Sequence, residues 1–275
     1  FDEGAIAETH TSNFEFIKAQ QKHLTSKAGK SQRKFWVKHH KNIAKKKQLE
    51  TNIQYISDFT LQKIVITGQD LEFLRGLSYN MKVPINGLLQ VLHGYIIKMV
   101  YGKQRNIQGI LVNGRDQKIK NVNISTVVGV LNNTLPLQIA KIPNSIFKLN
   151  YFKEVYADYI EARMQQQIPF ETVKNDVMKA TGVDIEASLG GVFDYQKREN
   201  EYLENGQHTI KTIADTRTKQ EGIYIKCFEY DNALEINLSC PSKIYKAASK
   251  ETISLEQILN TYLHRITGKQ KMNTY

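Results

Sequence analysis

Two hydrophobic periods divide this chain into predicted helices and strands. Residues Asn13 to Ser26 place Phe14, Phe16, Ile17, Ala19, Gln20 and Leu24 roughly at helical spacing, and Gly29 is expected to end that helix. A second helix is predicted from about Ser31, a capping residue, to Lys47. Residues Asn52 to Thr67, rich in Ile, Thr, Tyr, Phe and Val, read as one or two strands. Gln69 to Met81 carries Leu71, Phe73, Leu74 and Leu77 on or near one face of a helix. Pro84 suits the first turn of a longer helix with Leu88, Leu89, Leu92, Ile96 and Val100, which Gly102 stops.

The short apolar run Ile107 to Val112 predicts a buried strand, ending at Asn113-Gly114-Arg115. A loop follows, then a strand-like run from Val127 to Ile139 with Gly129 inside it. Ser145 to Gln167 reads as a helix with an aromatic face of Phe147, Tyr151, Phe152, Tyr156 and Tyr159. Pro169 ends it, and Glu171 to Thr181 forms a shorter helix. Leu189 to Tyr195 is a predicted strand, and the polar stretch Lys197 to Gln207 a loop or connection. Thr209 to Ile213, Ile223 to Tyr230 and Ala233 to Cys240 are strand-like, the last two joined by an Asp231-Asn232 hairpin turn. A helix is expected from about Ser254 to Thr267. The class is α/β, a mixed sheet flanked by helices. Strict βαβα alternation is missing, so a doubly wound nucleotide fold is not favoured. Gly109 and Gly114 are not followed by the glycine or Lys-Ser/Thr of a phosphate loop.

Composition changes this picture little. The 275 residues are 41 % hydrophobic and 24 % charged, the balance of a globular domain with a large core. The longest apolar stretch, near Ile96 to Tyr101, is interrupted by Lys98 and falls short of a membrane span. Cys227 and Cys240 fit no zinc spacing and read as reduced, inert thiols, so a cytoplasmic location is expected. The start Phe1-Asp2-Glu3-Gly4 reads as a cut through a longer chain. The net charge of +11 raises nucleic-acid or membrane-surface binding. The dense run Lys38 to Lys47 lacks aromatics after Trp36, so a solvated helix face explains it better, and it also suits an acidic partner such as a small carrier protein.

Candidate chemistry is sparse. His39-His40 is the one histidine pair, but adjacent side chains on a helix diverge by about 100°, and the pair lies within the lysine run. Surface exposure is expected for it. His93, among apolar residues on a helix, reads as a satisfied core histidine. There is no Gly-x-Ser-x-Gly elbow and no paired carboxylates with glycosidase character. Residue by residue, the chain presents no catalytic centre and no metal site.

The stretch IQGILVNGRDQKIKNVNISTVVGVLNNTLPLQI, Ile107 to Ile139, resembles the condensation-domain family of nonribosomal peptide synthetases. In that family a buried strand ends in a small residue, Gly and Arg. A Val-Gly-x-Phe-x-Asn-Thr-Leu-Pro-Leu segment follows. Gly114 and Arg115 match the first part; Val128, Gly129, Asn133, Thr134, Leu135, Pro136 and Leu137 match the second, with Leu131 where the family has an aromatic. A second match is QQQIPFE, where Gln166, Pro169, Phe170 and Glu171 agree with His/Asn-Gln-Asp-Tyr/Val-Pro-Phe-Glu, while Gln165 and Gln167 depart. SNFEFIKAQ from Ser12 and the Phe35-Trp36 pair are similar to an upstream helix and aromatic-Trp pair of the family. The family's Arg-Asp-x-Ser-Arg-Asn-Pro-Leu loop is degenerate here, with Asp184 and Leu189 alone related.

The resemblance implies one of two chloramphenicol-acetyltransferase-like lobes around a tunnel, with residues 1–275 forming the C-terminal lobe. The family's His-His-x-x-x-Asp-Gly motif belongs to the other lobe. His39-His40 does not qualify, because Ala44 and Lys45 stand at the Asp-Gly positions. The implied reaction is attack of an acceptor amine on a donor thioester, both on phosphopantetheine arms of carrier domains, with no cofactor bound directly. The implied partners are the N-terminal condensation lobe, peptidyl and aminoacyl carrier domains and a neighbouring adenylation domain, and not nucleic acid or membrane. No catalytic residue is expected in this chain. Asn133 and Thr134 are the polar candidates for substrate contact, against a turn role for Asn133 that stays open. Gly114, Arg115, Gly129, Pro169 and Phe170 are expected to be structural, with Arg115 holding the strand end through a buried carboxylate and Gly129 permitting close backbone approach. Residues 197–217 are a candidate crossover or latch segment, or a loop. A non-catalytic docking domain of the same fold, recruiting carrier proteins or tailoring enzymes, is the alternative. An unrelated nucleic-acid-binding α/β protein is a third reading, resting on charge alone.

Overall fold

A computed structural model describes residues 11–41, 59–102, 105–120, 122–139, 150–198, 202–205, 208–211, 222–241 and 261, with the backbone alone for 59–61, 150 and 202–211. The chain divides into two compact units. One comprises Phe1–Lys46, Leu111–Pro136 and Tyr159–Glu186; the other comprises Lys47–Ile110, Leu137–Asp158 and Ala187–Tyr275.

In the first unit, α1 (Asn13–Thr25) begins with a capping box. The Ser12 side chain accepts from the Glu15 N–H, and the Glu15 carboxylate accepts from the Ser12 N–H at 2.8 Å. Phe16 on this helix packs with Ile119, Ile124, Val127 and Leu131 in a small core. The helix ends at Ser26, not at Gly29. Extended Ser26 closes α1 and caps α2 (Lys27–His40), its hydroxyl accepting from the Gly29 N–H at 3.0 Å. Gly29 lies inside α2 because the two helices nearly touch there: an added Cβ would sit 2.0 Å from the His23 carbonyl oxygen. The helix α6 (Phe170–Thr181) is tied to α2 by Arg33, which donates to both oxygens of Asp176 at 2.6 and 2.7 Å. That bond holds the guanidinium pKa above its ordinary value.

Contrary to the expected exposure of His39-His40, His40 is fully buried. It follows Trp36 by one helical turn, and Trp36 is the anchor of the α2 core face. The His40 Nδ1–H donates to the Trp36 carbonyl at 2.9 Å.

The second unit contains α3 (Gly68–Met81) and α4 (Ile85–Tyr101), with Pro84 capping α4 and Gly102 ending it. The main sheet has the order β1-β8-β7-β4-β2-β3, formed by β1 (Phe59–Thr67), β2 (Ile107–Val112), β3 (Asn133–Gln138), β4 (Leu189–Lys197), β7 (Ile223–Glu229) and β8 (Ala233–Pro241). It is mixed: β1–β8 and β8–β7 are antiparallel, while β7–β4 and β4–β2 are parallel. The chain passes between its units within β2 and β3, and again within α5 (Asn150–Arg163).

The β7–β8 connection is the expected hairpin, closed by the Tyr230 N–H on the Ala233 carbonyl, with Arg75 donating to the Tyr230 and Asp231 carbonyls. Within the stretch expected to be a loop or connection, the described residues include strand. β4 extends to Lys197, and β5 (Tyr202–Asn205) pairs antiparallel with β6 (His208–Lys211). The rest of the 197–217 segment beyond Arg198 lies outside the described residues, as do Phe147 and, apart from position 261, the predicted C-terminal helix.

Helix α4 is apolar on most sides because most of its circumference is buried from Ile85 to Ile97. Leu88, Leu89, Leu92, Ile96 and Ile97 are each at most 1 % exposed, and each contributes about 2 kcal/mol of burial. Together they outweigh the polar atoms carried into the same core. His93, wholly buried, donates from Nε2 to the Ile223 carbonyl at 2.9 Å and packs near the Phe193 ring. Its Nδ1 and the Gln90 Oε1 find no partner among the described residues, at about 1–3 kcal/mol each. Desolvation lowers the His93 pKa to about 4. Cys227 and Cys240 are free, buried thiols whose pKa values desolvation raises, that of Cys240 to about 11.

Candidate functional site

The matched motifs converge within the first unit. Gly114, just past β2, adopts φ 71°, and an added Cβ would lie 2.1 Å from the Leu131 carbonyl oxygen. Only glycine satisfies both demands. The turn aims Arg115 across the following loop. There its Nη1 donates to the Val127 carbonyl and its Nη2 to the Gly129 carbonyl, each at 2.9 Å. The partner of Arg115 is therefore a pair of backbone carbonyls, not the expected buried carboxylate, and Arg115 itself is exposed. The forked N–H donors suit two carbonyls, two residues apart, of a loop that has no ladder of its own. Residues 127–132 are that loop; the extended run begins only at Asn133. Gly129 has φ 150°, and Asn13 stands at an ordinary 3.4 Å from its hypothetical Cβ. Its requirement is thus conformational rather than one of tight approach.

Asn133 opens β3 and joins the two motif segments. Its Nδ2 donates to the Gln166 and Ile168 carbonyls, both at 2.9 Å. Its Oδ1 accepts from the Phe170 N–H at 3.0 Å and from the Thr134 N–H at 2.9 Å. Both amide hydrogens and both lone pairs are engaged. The geometry found for Asn133 is a clamp on the turn before α6; a contact to substrate would require one of these bonds to open. Thr134 is half-buried beside it. Pro169 caps α6, and Phe170, first in that helix, has its otherwise orphan N–H satisfied by Asn133.

The intervening glutamines take the same structural part. Gln166 is buried and donates to Asp116 at 3.0 Å, and Asp116 also pairs with Arg163. Gln167 accepts from Gln32 at 2.8 Å, and Gln32 also reaches the Met164 carbonyl. The Gln165 carbonyl faces the Trp36 indole N–H at 3.4 Å. The aromatic-Trp helix, the Asn-Thr strand and the Pro-Phe-Glu turn thus form one hydrogen-bonded body. The Arg33–Asp176 and Gln32–Gln167 links had no sequence signal, because their partners stand more than a hundred positions apart and belong to no local pattern.

No nucleophile and base are paired in this cluster. Among the described residues, no group of three His, Cys, Asp or Glu side chains is arranged to hold a metal ion, and no single helix is long and apolar enough to cross a membrane. What the arrangement does chemically is to hold a strand start and a helix start rigidly together.

The Condensation domain family profile matches residues 3–272, nearly the whole chain. The protein belongs to the condensation-domain family. Its fold is similar to that of SgcC5 from Streptomyces globisporus, with 15 % identity and a TM-score of 0.68 over 95 % of this chain and 60 % of that one. It is also similar to VibH, a nonribosomal peptide synthetase condensation enzyme, with 14 % identity and a TM-score of 0.66 over 93 % of this chain and 59 % of that one. The nonribosomal peptide synthetase FmoA3 gives 12 % identity and a TM-score of 0.66 over 98 % of this chain and 28 % of that larger one. No curated protein matches the chain. The condensation-type chain thus spans at most about three-fifths of the length of these structural relatives. The mixed sheet and flanking helices are those of a condensation-domain lobe.

Proposed function

We propose that this chain serves as the C-terminal lobe of an amide-forming condensation domain in a nonribosomal peptide synthetase. It provides one wall of the tunnel in which an acceptor amine meets a donor thioester. The observation that carries the reading is the convergence of Gly114-Arg115, Asn133 and the Gln166–Phe170 turn in one body, in a chain of the condensation family. Acyl transfer of this kind needs two reactants positioned, a proton removed from the amine and an oxyanion stabilised. The first unit supplies rigid positioning. Proton handling falls to a histidine on an N-terminal lobe, since the His-His-x-x-x-Asp-Gly pattern is not in this sequence.

Carrier domains deliver both substrates on phosphopantetheine arms, an adenylation domain loads them, and the assembly works in the cytoplasm. Thr134, at the start of β3, is the remaining polar candidate for contact with a bound arm. A second reading, a non-catalytic docking domain of the same fold, is favoured by the fully engaged Asn133 side chain, which has no free donor for an oxyanion.

The test is amide formation from carrier-bound aminoacyl thioesters. The chain alone is expected to give none, and the chain joined to a lobe bearing His-His-x-x-x-Asp-Gly is expected to turn over. Turnover by the chain alone overturns the reading. No turnover by the joined protein, with carrier binding intact, leaves the docking reading in its place.

A further inference from the structure

The outer face of α2 is a ridge of lysines. Lys27, Lys30, Lys34, Lys38 and the capping Lys41 follow at intervals of three and four, so at about 100° per residue they fall within an arc of roughly 80° and extend about 21 Å along the axis. All five are exposed. Gly29, Trp36 and His40 face the opposite way and are buried. The ridge is not neutralised from within. Glu15 is the sole acidic residue from Thr11 to Lys41, and its carboxylate is held in the capping box by Ser12. Asp176, the acid bonded to α2, is taken by Arg33. Among the described residues, no carboxylate lies within ion-pair distance of any of the five lysines.

We propose that this lysine ridge is a docking surface for a protein that presents an acidic helix. Carboxylates at the same three- and four-residue intervals would meet the ridge along its whole length, and five uncompensated like charges at helical spacing repel one another until such a partner arrives. Two other anionic surfaces fit less well. A helix that lies on a bilayer must offer an apolar face to lipid, and the apolar face of α2 is closed by packing around Trp36. Nucleic-acid phosphates also attract lysines, but the ridge carries none of the Arg, Asn, Gln or stacked aromatic groups that add base readout, so it offers nucleic acid charge alone. The inference concerns binding and stands apart from whether the chain takes part in amide formation.

The full chain is titrated into a fluorescent helical peptide bearing glutamates at every third or fourth position, with anisotropy as the readout. Binding is expected, and it should weaken at least about tenfold from low to physiological salt. Lys30→Glu with Lys34→Glu should weaken it about tenfold or more, and the neutral pair Lys30→Gln with Lys34→Gln should weaken it less. Lys118→Glu with Lys120→Glu, exposed and off the ridge, should leave it unchanged. The same chain is offered random duplex DNA and phosphatidylserine vesicles. Tighter binding to either, no binding to the peptide, or equal loss in the off-ridge variant overturns the proposal.

Discussion

The two units are held together by different physics. The first is laced by side chains that reach backbone groups far away in sequence: Asn133 on Gln166, Ile168 and Phe170, Arg115 on Val127 and Gly129, Trp36 on Gln165. The second rests on β-ladders and on the apolar helix α4, and it tolerates unpaired polar atoms at His93 and Gln90 inside its core. A hydrogen-bonded clamp fixes geometry to a fraction of an ångström but fails as a whole when its hub is removed. An aliphatic core is less exacting in direction and loses stability in proportion to the volume removed. The motifs by which the family is recognised lie mostly in the laced unit, where a single side chain has few substitutes.

The largest effect is expected from Asn133→Ala, which strands two carbonyls and two N–H groups and costs roughly 4 kcal/mol. Leu92→Ala in the second unit should cost about 3 kcal/mol through an unfilled cavity. Hydrogen exchange sharpens the contrast: Asn133→Ala should speed exchange around 165–173, and Leu92→Ala should speed it in β4, β7 and β8. Uniform acceleration throughout the protein in both variants would erase the distinction.

The next effect depends on pH. The His93 pKa in the folded state is lowered to about 4, below the unfolded value near 6.5. Its neutral form is therefore the one the fold prefers. The stabilisation is complete above pH 6.5 and is lost as pH falls toward 4, by about 3 kcal/mol in all. The denaturant midpoint of the protein should fall relative to that of His93→Leu as pH drops across that window. A parallel pH dependence in the two would remove His93 as the cause. Smallest is Arg33→Ala, which opens the bidentate link of α2 to α6. With the guanidinium 36 % exposed, a loss of about 1 kcal/mol in thermal or denaturant unfolding is expected. A loss as large as that of Asn133→Ala would place the hub of the first unit at α2 instead.

Much of the secondary structure was legible because its causes are local. Pro84 and Gly102 bound α4, Asp231-Asn232 turns the β7–β8 hairpin, and the period of Leu88, Leu92 and Ile96 marks a helix. The misreadings share one origin, a residue whose role depends on something distant. Gly29 reads as a helix breaker until the His23 carbonyl is seen against it. His40 reads as exposed until Trp36 turns that side of α2 inward. Arg115 reads as half of an ion pair until the 127–129 carbonyls appear in front of it.

By itself the sequence determined the α/β class, the membership of the condensation family and the positions of its motifs, because periodicity, turn residues and spacing are properties of neighbours along the chain. Only the tertiary structure decided that Asn133 holds three backbone groups of the 166–170 turn, that Gln32 meets Gln167, and that the lysines of α2 stand together on a face opposite the buried Trp36. Those facts depend on groups brought within 3 Å of one another across more than thirty residues, or on which side of a helix the core happens to cover, and neither is encoded in any local window.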